Sequence, residues 1–396
     1  MILDKTFPPD PRVENEALEL IKNGHDIFLF CLGYQTDLEE ETIHEIKVKR
    51  YPSNKLDYKL SALSYTVPFY KLIMSRKIAH FLLENEIEIV HIHDVVIADA
   101  VFKANQALQL PVVLDLHENR PEIMKSYPHL SKFPGNILIS PKAWKKKETE
   151  LVSKADKVIV VTEESKQELV ARSGESKDKF VVVTNTVKRS FYEDYSVEFS
   201  ILEKYKNKFV LLYLGDTGLR RGLMSSIEAL GIICEDKEMK ALVKLVIVGE
   251  NSSDDLLKKK VTELDLDEVV DFEGWQDERL FPSYLKAAHI GLSPLHRNLH
   301  HDTTYANKLF QYMSFSIPLL VSDATAQQNL ISQVNSGLIH EEKEAGDIAE
   351  KIMQLYNDPA LSNELGQNGK QFIEDKFCWE KVSRTLKDLY LEFETR

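Results

Sequence analysis

Positive charge meets apolar runs at two places in the second half of the chain. Asn307 and Lys308 stand just ahead of a short helical pattern, which leads through a tight connection into an apolar run over 318–321. A helix start presents unpaired N–H groups and the positive end of its dipole. With a lysine added, such a place suits a phosphate. Upstream, Gly215-Asp-Thr-Gly-Leu-Arg-Arg-Gly222 follows an apolar run and precedes a helical pattern over 223–234. Its glycines admit positive φ angles and let a ligand approach the backbone. Arg220 and Arg221 carry forked donors that match phosphate oxygens. The same residues also describe a glycine turn with two solvated arginines. Gly249-Glu250 and Gly274-Trp275 end two further apolar runs, the position at which parallel sheets bind ligands. Trp275 reads equally well as a buried anchor for its loop.

The first half concentrates histidine and carboxylate at strand ends. Asp115-Leu-His-Glu118 closes an apolar run, and His91-Ile-His-Asp94 closes its neighbour. Histidine titrates near neutral pH and can donate to a hydroxyl or a developing anion. His117 is therefore the candidate for chemistry, with Glu118 orienting groups or touching an acceptor. Alternation puts His91 and His93 on one side, but a third metal ligand is not evident, and His296, His300 and His301 form no better set. The expectation is no metal. Pro11 at a first helical turn with Asp10 as N-cap places Arg12 at a helix start, either facing an anionic substrate or salt-bridged. Lys142-Ala-Trp-Lys-Lys-Lys147 is a basic cluster that reads as a solvated helix face or as a peripheral contact with an anionic inner membrane surface.

These residues need a frame. Apolar runs at 25–32, 87–91, 112–116, 157–161 and 180–184, then at 209–214, 243–248, 269–272, 290–293, 318–321 and 337–340, alternate with longer amphipathic stretches. Near-continuous apolar runs mean strands buried on both faces, and alternating strand and helix means doubly wound parallel sheets. The fold class is α/β with two Rossmann-like domains, parting in the polar stretch 188–203. Only three residues precede the loop 4–11, so the first strand is expected to be short.

Composition sets outer bounds. The chain has 396 residues, 43% of them hydrophobic, and a net charge of −13. Residues 1–190 hold 27 Lys+Arg against 28 Asp+Glu, and the remainder 23 against 35, so the excess acid lies in the second half. That balance argues against nucleic acid as a partner. Three scattered cysteines fit a reducing compartment, and neither a signal peptide nor a membrane span is evident. A cytoplasmic location follows as the expectation.

The segment Tyr305-Ala-Asn-Lys-Leu-Phe-Gln-Tyr-Met…Ile-Pro-Leu-Leu-Val resembles the nucleotide-sugar site of the family 4 glycosyltransferases, and Asp10-Pro-Arg-Val-Glu14 resembles a loop of the same branch. The resemblance implies a GT-B fold. Residues 1–190 would bind acceptor, 191–376 would bind nucleotide-sugar, and 377–396 would form a helix returning to the first domain. It implies a retaining transferase with a UDP- or GDP-sugar donor, a glycan, lipid-linked or small-molecule acceptor, and no tightly bound cofactor. Gly215, Arg220, Arg221, Asn307 and Lys308 would grip the diphosphate. Gly249 and Glu250 would flank the donor, and the Gly274-Trp275 loop would meet the base. His117 and His93 would lie toward the sugar, and Arg12 toward an anionic part of substrate. The family's paired glutamates fall on Thr303 and Gln311; the second normally accepts from ribose hydroxyls. That departure keeps two other classes open, a non-catalytic nucleotide-binding partner and a nucleotide-sugar epimerase.

Overall fold

Each apolar run named above becomes a strand in a computed structural model that describes residues 1–34, 37–54, 60–125, 127, 130, 133 and 135–394. In the first part β1 (Ile2–Leu3), β2 (Phe28–Gly33), β3 (Glu40–Ile43), β4 (Ile46–Pro52), β5 (Val90–His93), β6 (Val112–Leu116), β7 (Lys157–Val160) and β8 (Phe180–Val182) form one sheet in the order β3-β4-β2-β1-β5-β6-β7-β8. In the second, β9 (Phe209–Leu214), β10 (Val243–Val248), β11 (Val270–Gly274), β12 (Ile290–Ser293), β13 (Leu319–Ser322) and β14 (Gly337–His340) run in the order β11-β10-β9-β12-β13-β14. All pairings are parallel except β3 with β4. β5, β6, β12 and β13 are buried along their whole length, as helices on both faces require.

Seven helices matter below: α1 (Pro11–Lys22), α2 (Phe69–Glu84), α3 (Pro141–Lys154), α4 (Leu223–Ile233), α5 (Leu299–Thr303), α6 (Lys308–Ser314) and α7 (Arg384–Glu394). α1 starts as its sequence dictates, with Pro11 in the first turn and the Asp10 carboxylate accepting from Val13 N at 3.2 Å.

Contacts divide the chain into two compact units, Met1–Asn185 with Ser383–Arg396, and Thr186–Val382. The stretch read as lacking any period carries two short helices, Arg189–Glu193 and Phe199–Tyr205. The last helical pattern breaks at Ser383: Trp379–Val382 stays in the second unit and α7 joins the first. There α7 buries Leu386, Leu389 and Tyr390. Among the described residues no helix is long and apolar enough to cross a membrane.

Candidate functional site

In the second unit β11, β10 and β9 end side by side, each on a glycine with positive φ: Gly274 at 66°, Gly249 at 137° and Gly215 at 111°. Gly215 N donates to Val248 O at 2.8 Å, and Gly249 N donates to Gly274 O at 2.7 Å. A Cβ on Gly249 would lie 2.0 Å from Gly215 O, so the loops pack too closely for any side chain. One turn later Gly222, φ 80°, brings α4 against β12, where a Cβ would sit 1.6 Å from Pro294 O.

Lys308 reaches the same edge from α6. It is 6% exposed, and among the described residues its ammonium has no hydrogen-bond partner. Nζ lies 3.3 Å over the Tyr213 ring of β9 and 3.9 Å from where a Gly215 Cβ would stand. Burial first, then the neighbouring Arg221, pushes its pKa well below the ordinary 10.5, with Asp216 pulling back weakly. A buried, unpaired cation is costly, and an anion at this edge would compensate it. The arginines already have an internal anion. Asp216 Oδ2 lies 3.3 Å from Arg221 Nε and 3.7 Å from an Arg220 Nη, while its Oδ1 accepts from Asn251 Nδ2 at 2.7 Å. Arg220 also donates to His301 Nε2 at 3.2 Å. His301 Nδ1 in turn donates to His296 O at 2.6 Å, which makes it the neutral tautomer. Burial holds His301 down to about 4.

Gly215, Arg220, Arg221, Lys308, Gly249 and Gly274 thus belong to one constellation. Gln311, half-buried, is three residues beyond Lys308 and shares its helix face. Asn307 is exposed and makes no side-chain cap. Glu250 is exposed, and Trp275 is 71% exposed, which rules out its reading as a buried anchor. Thr303 departs from the expected sugar contact: it is buried, and its hydroxyl donates to Leu299 O at 2.6 Å in its own helix.

In the first unit the ends of β5 and β6 build a buried network on Asp115. Its carboxylate takes Arg12 twice, Nε to Oδ2 at 2.8 Å and an Nη to Oδ1 at 2.6 Å. Arg12 also donates to Val183 O at 3.0 Å and Asn185 Oδ1 at 2.7 Å, and pairs with Glu16 at 2.9 Å. The expectation that Arg12 meets substrate is corrected here, because the guanidinium is 6% exposed and engaged on every side by the protein. His93 is fully buried, with Nδ1 3.3 Å from Asp115 Oδ2 and 3.1 Å from His117 Nε2. Its place is therefore behind His117, not at a surface open to a sugar.

His117 has a carboxylate at each ring nitrogen: Asp115 Oδ2 is 2.9 Å from Nε2, and Asp94 Oδ2 is 3.8 Å from Nδ1. Burial opposes its charge, yet Asp115 and then Asp94 hold the imidazolium up to about 9. His117 is thus held as a cation at neutral pH, where an ordinary histidine titrates. Glu118 beside it is half-buried, its carboxyl pushed up by burial and then by Asp94. Glu16, His91, His93 and Asp115 place one ligand atom each within 4.8 Å of one another. A single guanidinium, Arg12, faces both carboxylates of that set, Asp115 at 2.6 Å and Glu16 at 2.9 Å, and burial pushes the Glu16 carboxyl up to about 8.

Two family models match this chain: glycosyltransferase family 4 over residues 12–191, and glycosyl transferases group 1 over residues 194–372. Together they span nearly all of it. The chain is a family 4, group 1 glycosyltransferase.

An uncharacterized glycosyltransferase of Methanocaldococcus jannaschii is 24% identical over 383 residues, covering 94% of this chain and 92% of that one. The capsular polysaccharide biosynthesis glycosyltransferase CapM of Staphylococcus aureus is 23% identical over 252 residues, 60% of this chain and only 62% of CapM. Among solved structures, Anabaena HepE in complex with UDP superposes with a TM-score of 0.73 at 16% identity, covering 99% of each chain. That likeness makes the fold of this glycosyltransferase GT-B.

Three participants in the glycosyltransferase's polar clusters escaped the sequence reading. Asp216 hides inside a glycine turn, where it reads as a turn former. Asp94 has φ 65° and turns back under His117, an arrangement no local spacing reveals. His301 holds Arg220 from α5, 81 positions away.

Proposed function

We propose that this glycosyltransferase transfers a sugar, with retention, from a nucleoside diphosphate sugar to a glycan acceptor in polysaccharide biosynthesis. The donor sits on the second unit and the acceptor on the first. The observation that carries the reading is Lys308: a buried ammonium without a partner, beside Arg221 on a glycine edge that a diphosphate can approach. HepE in complex with UDP-glucose and the name of CapM support a uridine donor and a polysaccharide product. In the reaction the bond from the sugar's anomeric carbon to the diphosphate oxygen breaks. The acceptor oxygen bonds that carbon on the same face, and its proton passes to the departing diphosphate. Arg220, Arg221 and Lys308 stabilise the charge that develops there. Testing UDP- and GDP-sugars by calorimetry, with release of nucleoside diphosphate followed in the presence of acceptor glycans, checks the reading. Absence of binding to every member of the panel would overturn it.

His117 is assigned to the transfer step as a fixed cation. His117→Gln is expected to lower kcat about 100-fold or more while UDP affinity changes less than twofold. The wild-type rate should fall as pH rises through about 9, where the imidazolium loses its proton. The same charge stabilises the fold fully below the unfolded value near 6.5, and that stability is lost through the same rise. A variant with wild-type kcat would remove His117 from the chemistry.

Gln311 is assigned to the ribose. A carboxylate acceptor bonds a hydroxyl about twice as strongly as an amide does, and the three cations nearby screen it from the diphosphate. Gln311→Glu is therefore expected to tighten donor binding by about 1 kcal/mol, a few-fold in Kd. Weaker binding in calorimetry would mean that Gln311 donates rather than accepts.

A further inference from the structure

β1, β5 and β6 lie next to one another in the first sheet, and each runs into charged residues. β1 leads into Asp4 and Lys5, β5 into Asp94, and β6 into His117, Glu118 and Arg120. The carboxyl ends of parallel strands are where such sheets hold ligands. Arg120 is the odd member of this group. It is half-buried, and its Nε, shut from solvent, has no hydrogen-bond partner among the described residues. Burial opposes the charge, while Asp94 first, then Tyr127, Glu118 and Asp4, support it by field alone and without a hydrogen bond. Asn119 Oδ1 beside it is equally enclosed and equally unpartnered. Other cations of the unit are taken. Arg12 bonds Asp115, Val183 and Asn185, Lys71 of α2 and Lys147 of α3 share Asp99, and Lys145 of α3 meets Glu122. An enclosed donor left without a partner is costly, so Arg120 calls for one that arrives from outside.

Charge decides the nature of that partner. Lys5 Nζ and His117 Nδ1 each stand 3.8 Å from Asp94 Oδ2, an ion contact longer than a hydrogen bond. Asp4 accepts from the Tyr70 hydroxyl of α2, and burial pushes its carboxyl up to about 8, as burial does for Glu16. Both therefore keep a proton at neutral pH. The cations Lys5, Arg12, His117 and Arg120 then face the carboxylates Asp94, Asp115 and Glu118, one fewer than the cations. An anion completes this set, and a neutral hydroxyl does not. The unused guanidinium fork matches two oxygens of one carboxylate or phosphate.

We propose that Arg120 holds an anionic group of the acceptor, a phosphate or a carboxylate, so that this glycosyltransferase glycosylates a charged saccharide and not a neutral one. The assignment rests on the reading that the first unit binds the acceptor. Ligand-observed NMR titration of the full chain, saturated with UDP, tests it with glucose 6-phosphate, glucuronate and glucose as probes. At least one charged sugar is expected to bind about tenfold or more tighter than glucose. Preference for glucose 6-phosphate names a phosphate as the group, and preference for glucuronate names a carboxylate. Arg120→Gln should weaken the charged sugar about tenfold or more and leave glucose unchanged, with UDP affinity and melting temperature close to wild type. Arg120→Lys should recover part of the loss, since it keeps the charge without the fork. Three results would overturn the proposal: charged sugars bound no better than glucose, a preference that survives Arg120→Gln, or no binding of any of the three. Failure of UDP to bind the wild type would instead sink the donor reading, and the same titrations without UDP would still decide the role of Arg120.

Discussion

Arg12→Met is expected to destabilise the protein by about 3–5 kcal/mol, the usual cost of removing one partner from a buried ion pair. Arg12 is the cation that faces both Asp115 and Glu16, and methionine fills comparable space with none of its hydrogen bonds. Asp115 is held well below the ordinary carboxylate range despite its burial, by Arg12 first and then His117. A group depressed in this way contributes stability above its unfolded value of 3.8 and loses it as pH falls. The penalty of the substitution should therefore be greatest at neutral pH and shrink as acid protonates Asp115. In a thermal melt at pH 7 the expected loss is about 10 °C. A change within about 2 °C would show that the carboxylates adapt without their guanidinium. Arg12→Lys should recover only part of the loss, because one ammonium cannot reproduce the fork that grips both oxygens of Asp115.

Arg12 also marks where the sequence stopped being informative. Its helix start was plain, from Asp10 and Pro11. Its partners were not, since Asp115 and Val183 lie 103 and 171 positions away. Apolar strands were legible because they are runs of one kind: 112–116, 209–214, 243–248, 290–293 and 337–340 emerge with the same bounds in β6, β9, β10, β12 and β14. β3 and β4 were missed for the opposite reason. In β4 Ile46 and Val48 point inward between exposed Lys47 and half-buried Lys49, so polar residues break any apolar run. β2 begins three residues later than its apolar run, and β5 extends two residues further, to His93. At the site, glycines and basic residues announced themselves by type. What type could not tell was protonation. His117 reads as a group titrating near neutral pH until Asp115 and Asp94 are seen on either side of its ring.

The same limit applies to Lys308, whose sequence context promised a phosphate ligand without revealing that the ammonium is buried and unpaired. That burial gives a prediction with two opposite signs. Lys308→Met removes a cation that the unliganded fold holds at a cost, so the variant should melt at the wild-type temperature or above it. It should also lose a charge-assisted bond to the donor diphosphate, worth roughly 1.5–3 kcal/mol, so UDP should bind about 10- to 100-fold more weakly. Ordinary misfolding lowers both quantities together and cannot mimic this pattern. Proton linkage gives a further check. Burial and Arg221 lower the pKa of free Lys308, while a bound diphosphate raises it. Between the free and the bound value, binding therefore takes up a proton, and UDP affinity weakens as pH rises across that range. Calorimetry in buffers of different ionisation enthalpy measures that uptake directly. It should be present in the wild type and absent in Lys308→Met. Equal UDP affinity in the two forms would move the diphosphate away from Lys308 and leave the buried ammonium as a purely structural neighbour of Tyr213.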